Sequence, residues 1–254
     1  MNGSLVFARK EALEIVRTWR IWVLPSIILF FALTGPPLAR FTPELINALA
    51  SDQLGQFKIP PPTYLDAYGQ WIKNLSQIVL FALIISYGGL ISSEIRSGTA
   101  VFVLTKPLTR EAFVIIKALV HAVFLAVMLL AGTLITWGMT FAVFGDAPAS
   151  TLWESALLWL ALGVFFIALM TVLSVVIPAP AGAAGAGLGA YALLSVGAIW
   201  KPFSMYSPAG ITGQAASLAA GTHISSPLWP VTTSALLSIA LVWLAAALFR
   251  RREL

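Results

Sequence analysis

The stretch from Ser155 to Trp200 contains no Asp, Glu, Lys or Arg. One crossing of a bilayer core about 30 Å thick needs roughly 20 apolar residues, so this stretch is long enough for two crossings. Pro178, Pro180 and Gly182 lie near its middle and predict a tight turn between two helices. The whole chain is 59% hydrophobic and 10% charged, with a mean hydropathy of +0.91. These values exclude an ordinary soluble domain and predict an all-α membrane protein.

Four further apolar segments are long enough to cross a bilayer. They are about Ile21 to Leu38, about Leu75 to Ile91, about Phe113 to Phe144, and Pro230 to Phe249. With the two helices of the uncharged stretch, they predict six transmembrane helices in one transmembrane domain, residues 1–254. An even number of crossings places both termini on the same side of the membrane.

The distribution of Lys and Arg predicts which side the termini occupy, because cytoplasmic loops carry an excess of these residues. With the termini inside, the cytoplasmic side holds Arg9, Lys10, Arg17, Arg20, Arg96, Lys106, Arg110, Lys117, Arg250, Arg251 and Arg252. The outer side holds Arg40, Lys58, Lys73 and Lys201. We therefore expect a multi-pass protein of the cell inner (plasma) membrane with both termini cytoplasmic. Residues 92–112 then form a cytoplasmic loop, and residues 39–74 and 201–229 form outer connections.

Residues 1–20 lack the apolar core and cleavage site of a signal peptide. Their pattern predicts an amphipathic helix in the membrane interface, capped by Ser4. The expected apolar face consists of Leu5, Ala8, Ala12, Ile15, Val16 and Trp19. The alternative is a solvated helical lead-in to the first crossing. On the outer side, Thr42, Pro43 and Glu44 predict the start of a separate short surface helix over about Leu45–Leu54.

The residues needed for catalysis or metal binding do not occur together in this sequence. The two histidines, His121 and His223, are predicted on opposite sides of the membrane, and the chain has no cysteine. Asp146 and Glu154 flank a short outer turn, where their expected role is to stay in water. We therefore predict no catalytic residue, no metal site and no cofactor on this chain. No basic run interleaved with aromatic residues indicates a nucleic-acid partner.

Ion-driven transport is also disfavoured, because no charged residue falls in the middle of a predicted crossing. The chain has no Gly-x-x-x-x-Gly-Lys-Ser/Thr loop and does not bind ATP in that way. If the chain moves a substrate uphill, the energy must come from another polypeptide. Gly185 and Gly189 form a small-residue face that predicts close helix packing, either within the chain or against another subunit.

The 92–112 loop carries the most specific signal. Gly98 is expected to end the preceding helix, and Thr99 to cap a short helix over the apolar residues Ala100 to Leu104. Pro107 ends that helix, and Thr109 caps the third crossing. The result is a short amphipathic helix flanked by cations, a shape suited to docking. The alternative is an ordinary positively charged loop, which requires the charges but not the apolar helix.

This loop resembles that of the membrane subunits of type 2 ATP-binding-cassette (ABC) exporters, the group of bacitracin, sodium and copper-reductase-maturation permeases. Their pattern is Glu-x-x-x-Gly-Thr, a leucine-rich turn, Pro-x-x-Arg and a Lys seven residues later. The matching residues are Glu94, Gly98, Thr99, Leu104, Pro107, Arg110 and Lys117. The ending Phe249, Arg250, Arg251, Arg252, Glu253, Leu254 is similar to the family's Phe-x-Arg-Arg-acid-Leu. Lys106 and Phe102 depart mildly from the pattern.

The resemblance implies an interfacial elbow helix at residues 1–20, a coupling helix between spans two and three, and a dimer of permeases. It also implies separate ABC ATPase subunits, which would hold ATP and Mg²⁺, and outward transport. The implied ATPase-coupling interface comprises Glu94, Arg96, Gly98, Thr99, Ala100, Val101, Phe102, Val103, Leu104, Lys106, Pro107, Arg110 and Lys117. Homodimer and heterodimer both fit. The alternative function is a non-transporting membrane scaffold or immunity protein.

Overall fold

The computed structural model describes residues 3–17, 20–54, 60–100, 108–222 and 227–252. Within these ranges the chain is almost entirely helical and forms no strand. The α-helices are α1 (Gly3–Arg17), α2 (Arg20–Leu54), α3 (Tyr64–Asn74), α4 (Leu80–Tyr87), α5 (Ser92–Arg96), α6 (Arg110–Phe144), α7 (Ala149–Val176), α8 (Pro180–Gly197), α9 (Lys201–Tyr206), α10 (Ile211–Ala219) and α11 (Leu228–Arg250). A π-helical turn, Leu75–Val79, joins α3 to α4.

Five helical segments of the described chain are long and apolar enough to cross a membrane. They are Trp22–Ile46, Tyr64–Arg96, Arg110–Phe144, Ala149–Val176 and Leu228–Arg250. The predicted break in the uncharged stretch is confirmed, since α7 ends at Val176 and α8 begins at Pro180. The remaining expected crossing, α8, is not among these five segments; it is 18 residues long and rich in glycine and alanine.

The prediction of a separate outer helix over Leu45–Leu54 is wrong. Helix α2 is continuous through this region, and the Thr42 hydroxyl donates to the Leu38 carbonyl at 2.5 Å, as in a helix interior. The helix contains Pro25, Pro36, Pro37 and Pro43. Proline removes one backbone donor but leaves the helical φ allowed, so a helix can continue through these positions with some hydrogen bonds lost.

Helix α1 packs on the protein through the face that carries Glu11, and the expected membrane-facing apolar face stays a prediction. Phe7, Glu11 and Ile15 are buried, whereas Leu5 and Val16 are exposed. The helix includes Gly3, so Ser4 lies inside it and does not cap it. The face turned toward the protein is the one that carries Glu11, because this carboxylate meets a buried lysine of α6. The exposed apolar side chains of α1 face the medium around the protein.

Helix α7 lies at the centre of the bundle and contacts α6, α8, α10 and α11. Glycines allow neighbouring helices to come close. A Cβ on Gly163 of α7 would lie 2.6 Å from Leu125 of α6, and a Cβ on Gly132 would lie 2.5 Å from Ile28 of α2. Large side chains such as Trp71, Trp159 and Phe166 fill the remaining interior. The long helices are therefore packed through matched small and large residues.

Within the chain, α8 packs through a face other than that of Gly185 and Gly189, so only the internal alternative for this pair is wrong. Ala183, Ala184 and Gly187 are buried, and a Cβ on Gly187 would lie 2.4 Å from the Met170 sulfur. A Cβ on Gly185 or Gly189 would have no described atom within 4 Å. The Gly185 and Gly189 face therefore lies on the surface of the single chain, and it makes no internal contact with the described residues.

The start of α8 packs against the end of α4 at Gly88. A Cβ at this position would lie 2.4 Å from the backbone oxygen of Pro180. We expect Gly88→Ala to destabilise the protein by about 1–3 kcal/mol, because a backbone oxygen cannot move aside as a side chain can. The measurement is thermal unfolding of purified protein in detergent.

Gly138→Ala is the matched control, since a Cβ there has no described atom within 4 Å. This helical substitution is expected to be neutral or to stabilise by up to about 1 kcal/mol. Equal unfolding temperatures for the two variants would contradict the close approach of α4 and α8.

Candidate functional site

A lysine lies inside the bundle near one end of α6. The side chain of Lys117 is 0% exposed, and its ammonium group lies 2.6 Å from Glu11 Oε2 and 2.5 Å from Glu94 Oε1. Glu11 belongs to α1 and Glu94 to α5. Three helices that are distant in sequence therefore meet at one buried ammonium group. An ion without a partner would be costly here, so the two carboxylates fix where α1 and α5 pack.

A second lysine extends this arrangement toward the surface. Lys10 Nζ lies 2.8 Å from Glu11 Oε1, 2.5 Å from Glu14 Oε2 and 3.5 Å from Glu94 Oε1. Burial lowers the pKa of Lys10. The hydrogen bonds to Glu11 and Glu14 and the charge of Glu94 outweigh this effect and raise the pKa above its ordinary value. Lys10 therefore stays cationic at physiological pH. We call Lys10, Glu11, Glu14, Glu94 and Lys117 the charge cluster.

The charge cluster contains three carboxylates and two ammonium groups. Carboxylate oxygens of Glu11, Glu14 and Glu94 lie within 4.8 Å of one another, a spacing that a metal cation could bridge. Here the ammonium groups of Lys10 and Lys117 lie between these oxygens and supply the compensating charge. The cluster is therefore built as an ion-pair network joining helices.

The chain turns sharply before α5, and this turn aims Glu94 inward. Helix α4 ends at Tyr87, and α5 begins at Ser92 after a turn through residues 88–91. The backbone N–H groups of Ile91 and Ser92 donate to the Ser174 hydroxyl of α7 at 2.8 and 3.0 Å. A side chain from another helix therefore satisfies the free donors at the start of α5.

Gly98 ends α5 with a φ of +72°, a conformation that glycine adopts without the strain of a Cβ. The hydroxyls of Ser97 and Thr99 each donate to the Glu94 carbonyl at 3.3 Å. The prediction that Gly98 ends a helix is confirmed. Thr99 is itself helical, and its hydroxyl turns back to α5, so it does not serve as the predicted cap.

An aromatic stack lies beside the charge cluster. The Phe7 and Phe113 rings are 5.2 Å apart between centroids, and the Phe113 and Phe249 rings are 5.4 Å apart. These residues come from α1, α6 and α11, and all three are buried. The stack adds α11 to the helices that meet at this end of the bundle.

Arg110 joins the first turn of α6 to the end of α11. Its guanidinium donates to the carbonyls of Arg250 at 3.3 Å and Arg252 at 2.6 Å. Arg252 in turn donates to the Val175 carbonyl at the end of α7. Cations at the carboxyl ends of helices satisfy free carbonyls and the helix dipole. Thr109 caps α6 as predicted, accepting from the Ala112 N–H at 3.1 Å.

The residues of the predicted interface have different environments. Glu94 and Lys117 are brought together in the interior, and Ala100 is buried in the hydrophobic core. Arg96 and Thr99 are exposed, and Arg110 is engaged with α11. The remaining members, Val101, Phe102, Val103, Leu104, Lys106 and Pro107, lie outside the described residues, as do Glu253, Leu254 and His223. His121 is buried and lies 3.1 Å from the Tyr87 hydroxyl.

Sequence reasoning missed Lys10, Glu11 and Glu14 as partners of the loop. One signal pointed to them: Lys117 lies within a long apolar segment, and a charged residue at such a place requires a counter-ion. Glu11 recurs at four-residue spacing with Phe7 and Ile15, which places all three on one helical face. Ser174 gave no comparable signal, because serines are common in apolar helices.

Comparisons with known proteins match most of the chain to one family. The profile of the family described as "ABC-2 family transporter protein" matches residues 5–216, a range that contains the charge cluster and the whole 92–112 loop. The chain is also similar to the "Uncharacterized transmembrane protein YxlG" of Bacillus subtilis (strain 168). The two are 22% identical over 256 residues, which cover 100% of this chain and 99% of the relative.

The cluster predicts unequal effects for its two lysines. Lys117→Met removes the buried cation shared by Glu11 and Glu94 and leaves them only the partly exposed Lys10, so it is expected to cost about 3–5 kcal/mol of stability. Lys10→Met is the matched control; this side chain is 40% exposed, and its loss should cost less than about 1 kcal/mol. Thermal unfolding in detergent measures both.

A third variant distinguishes lost charge from lost packing. Glu11→Gln and Glu94→Gln, added to Lys117→Met, remove the uncompensated carboxylates and should recover part of the lost stability. A triple variant no more stable than Lys117→Met, or a Lys117→Met protein as stable as Lys10→Met, would contradict the arrangement.

Proposed function

The chain belongs to the ABC-2 family of transporter proteins, a family of typically non-catalytic membrane permeases, and we propose that it is the permease subunit of an ABC exporter, coupled to ATP hydrolysis on separate subunits. The observation that carries this proposal is the charge cluster. It fixes the start of the 92–112 loop to α1 and to α6 through one buried lysine. A force applied to the loop would therefore move these helices together.

The cluster and the exposed loop residues have different parts in this proposal. Glu94 and Lys117 act as positioning residues inside the protein, because both are buried. Arg96 and Thr99 are exposed on the loop and are available to an ATPase. Residues 101–107 carry the apolar and basic groups that would enter its cleft. Arg110 holds the other end of the loop to α11.

ATP and Mg²⁺ belong to the partner ATPase in this proposal. The sequence has no phosphate-binding loop, so this chain contributes the pathway and the mechanical connection. Charged groups at the rim of the loop would favour one docking register over others. Rocking of α6 with the loop would then alternate access to the pathway and move the substrate outward.

We further propose six crossings with both termini in the cytoplasm, and α8 as the fifth crossing. Its 18 residues extend about 27 Å, close to the thickness of a bilayer core of about 30 Å. The surface glycines Gly185 and Gly189 permit another helix to approach closely. A second copy of the chain, forming a homodimer, is the proposed partner for this face.

The coupling proposal predicts that Gly98→Ala impairs ATPase stimulation. The chain is purified in lipid nanodiscs with the proposed partner ATPase, and ATP hydrolysis is measured. Strain at the left-handed Gly98 would displace the loop, and stimulation should fall about fivefold, equivalent to roughly 1 kcal/mol of coupling.

Gly145→Ala is the matched control for that experiment. Gly145 has a φ of +77°, has no described atom within 4 Å of a Cβ, and lies at the opposite end of α6. It should lose similar stability without losing stimulation. Equal stimulation by the two variants would reject the loop assignment, and a chain that binds no ATPase would favour a scaffold.

The six-crossing topology predicts the accessibility of engineered cysteines, which are clean probes because the chain has none. Cysteines at Asp146 and Lys201 should react with a membrane-impermeant maleimide on intact cells. Cysteines at Arg96 and Ala181 should react only after permeabilisation. All four positions are exposed on the described chain. If Ala181 and Lys201 react from the same side, α8 does not cross the membrane.

A further inference from the structure

An apolar cleft opens on the side of the helix bundle between α6, α7 and α11. Its volume is about 300 Å³. The lining includes Ala118 and Ala122 of α6, Ala168 of α7, and Ser238, Ile239 and Trp243 of α11. Ala118, Ala168 and Ser238 are buried and form the floor, whereas Ile239 and Trp243 are exposed and form one rim. We call this surface the lipid cleft.

The chemistry of the walls limits what can fill the lipid cleft. The Ser238 hydroxyl already donates to the Ser234 carbonyl at 2.7 Å, so it is satisfied within its own helix. The other residues named above offer only apolar side chains, apart from the indole of Trp243. Since the cleft lies between helices that can cross a membrane, hydrocarbon is the medium beside it. An apolar chain therefore fits the cleft better than water does.

The end of the cleft toward the termini carries cations. Seven residues separate Trp243 from Arg250 on the same face of α11, a rise of about 10 Å. The Arg250 side chain is 65% exposed, and its Nε lies 3.6 Å from a carboxylate oxygen of Glu111, which shares a face of α6 with Ile115. The neighbouring Arg251 is exposed as well. The cleft thus leads from an apolar slot to a basic end.

We propose that the lipid cleft binds one acyl chain of an anionic phospholipid of the cytoplasmic leaflet, with its phosphate group at Arg250 and Arg251. The leaflet follows from the membrane orientation in the proposed function. A separation of about 10 Å between slot and arginines suits a headgroup and the upper part of its chain. Basic sites between transmembrane helices on the cytoplasmic side are suited to anionic headgroups.

The test uses the chain alone, in vesicles of equal phosphatidylglycerol and phosphatidylcholine, extracted into mild detergent for native mass spectrometry. The wild-type chain should retain a bound lipid, with phosphatidylglycerol in excess. Ala122→Phe fills the cleft and should abolish retention. Ala131→Phe is the matched control, because Ala131 is exposed on the same helix outside the cleft. Equal retention by the two variants would overturn the proposal.

A second variant tests the headgroup without altering the cleft. Arg250→Gln with Arg251→Gln should reduce the excess of phosphatidylglycerol by about fivefold per arginine. Retention with an unchanged lipid preference would overturn the headgroup assignment. Thermal unfolding verifies that each variant is folded. No ATPase is present, so lipid retention can fail while ATPase coupling holds, and coupling can fail while lipid retention holds. The cysteine labelling above tests the leaflet separately.

Discussion

The burial of Lys117 is the constraint on which this end of the structure depends. An ammonium group without water is tolerated only when carboxylates contact it, and the nearest ones come from α1 and α5. These helices must therefore pack against α6, whatever the preference of their own apolar residues. This requirement explains why α1 buries the face with Glu11 and leaves Leu5 and Val16 exposed.

The same constraint gives the 92–112 loop a fixed starting point. Glu94 can reach Lys117 only because the chain turns at residues 88–91, and Ser174 of α7 holds the new helix start in place. The other end of the loop is held to the end of α11 by Arg110, which donates to the Arg252 carbonyl. A loop anchored at both ends to long helices transmits displacement to them, whereas an unanchored positively charged loop would absorb it. The anchoring therefore favours a coupling role for the loop over the alternative, in which its charges only set the orientation of the chain in the membrane.

Features set by local physics followed from the sequence, and features set by distant partners did not. The break near Pro178, the Thr109 cap and the Gly98 stop each depend on a few neighbouring residues, and each is found. The face of α1 depends on Lys117, more than 100 residues from Glu11. The packing glycine of α8, Gly187, depends on Met170 of α7, about 17 residues earlier. Helix α2 continues through four prolines, whereas the Thr42-Pro43-Glu44 pattern alone suits the start of a new helix equally well.

Helix α6 connects the two sites. On one face of α6, Lys117 belongs to the charge cluster. The nearly opposite face of the same turns lines the lipid cleft through Ile115, Ala118, Leu119 and Ala122. A helix displaced by the loop would change the width of the cleft, because α7 and α11 form its other walls. Linkage then requires the reverse: a lipid that binds one position of α6 more tightly biases the loop by the same free energy. The lysine that fixes the loop would thereby make coupling sensitive to membrane composition.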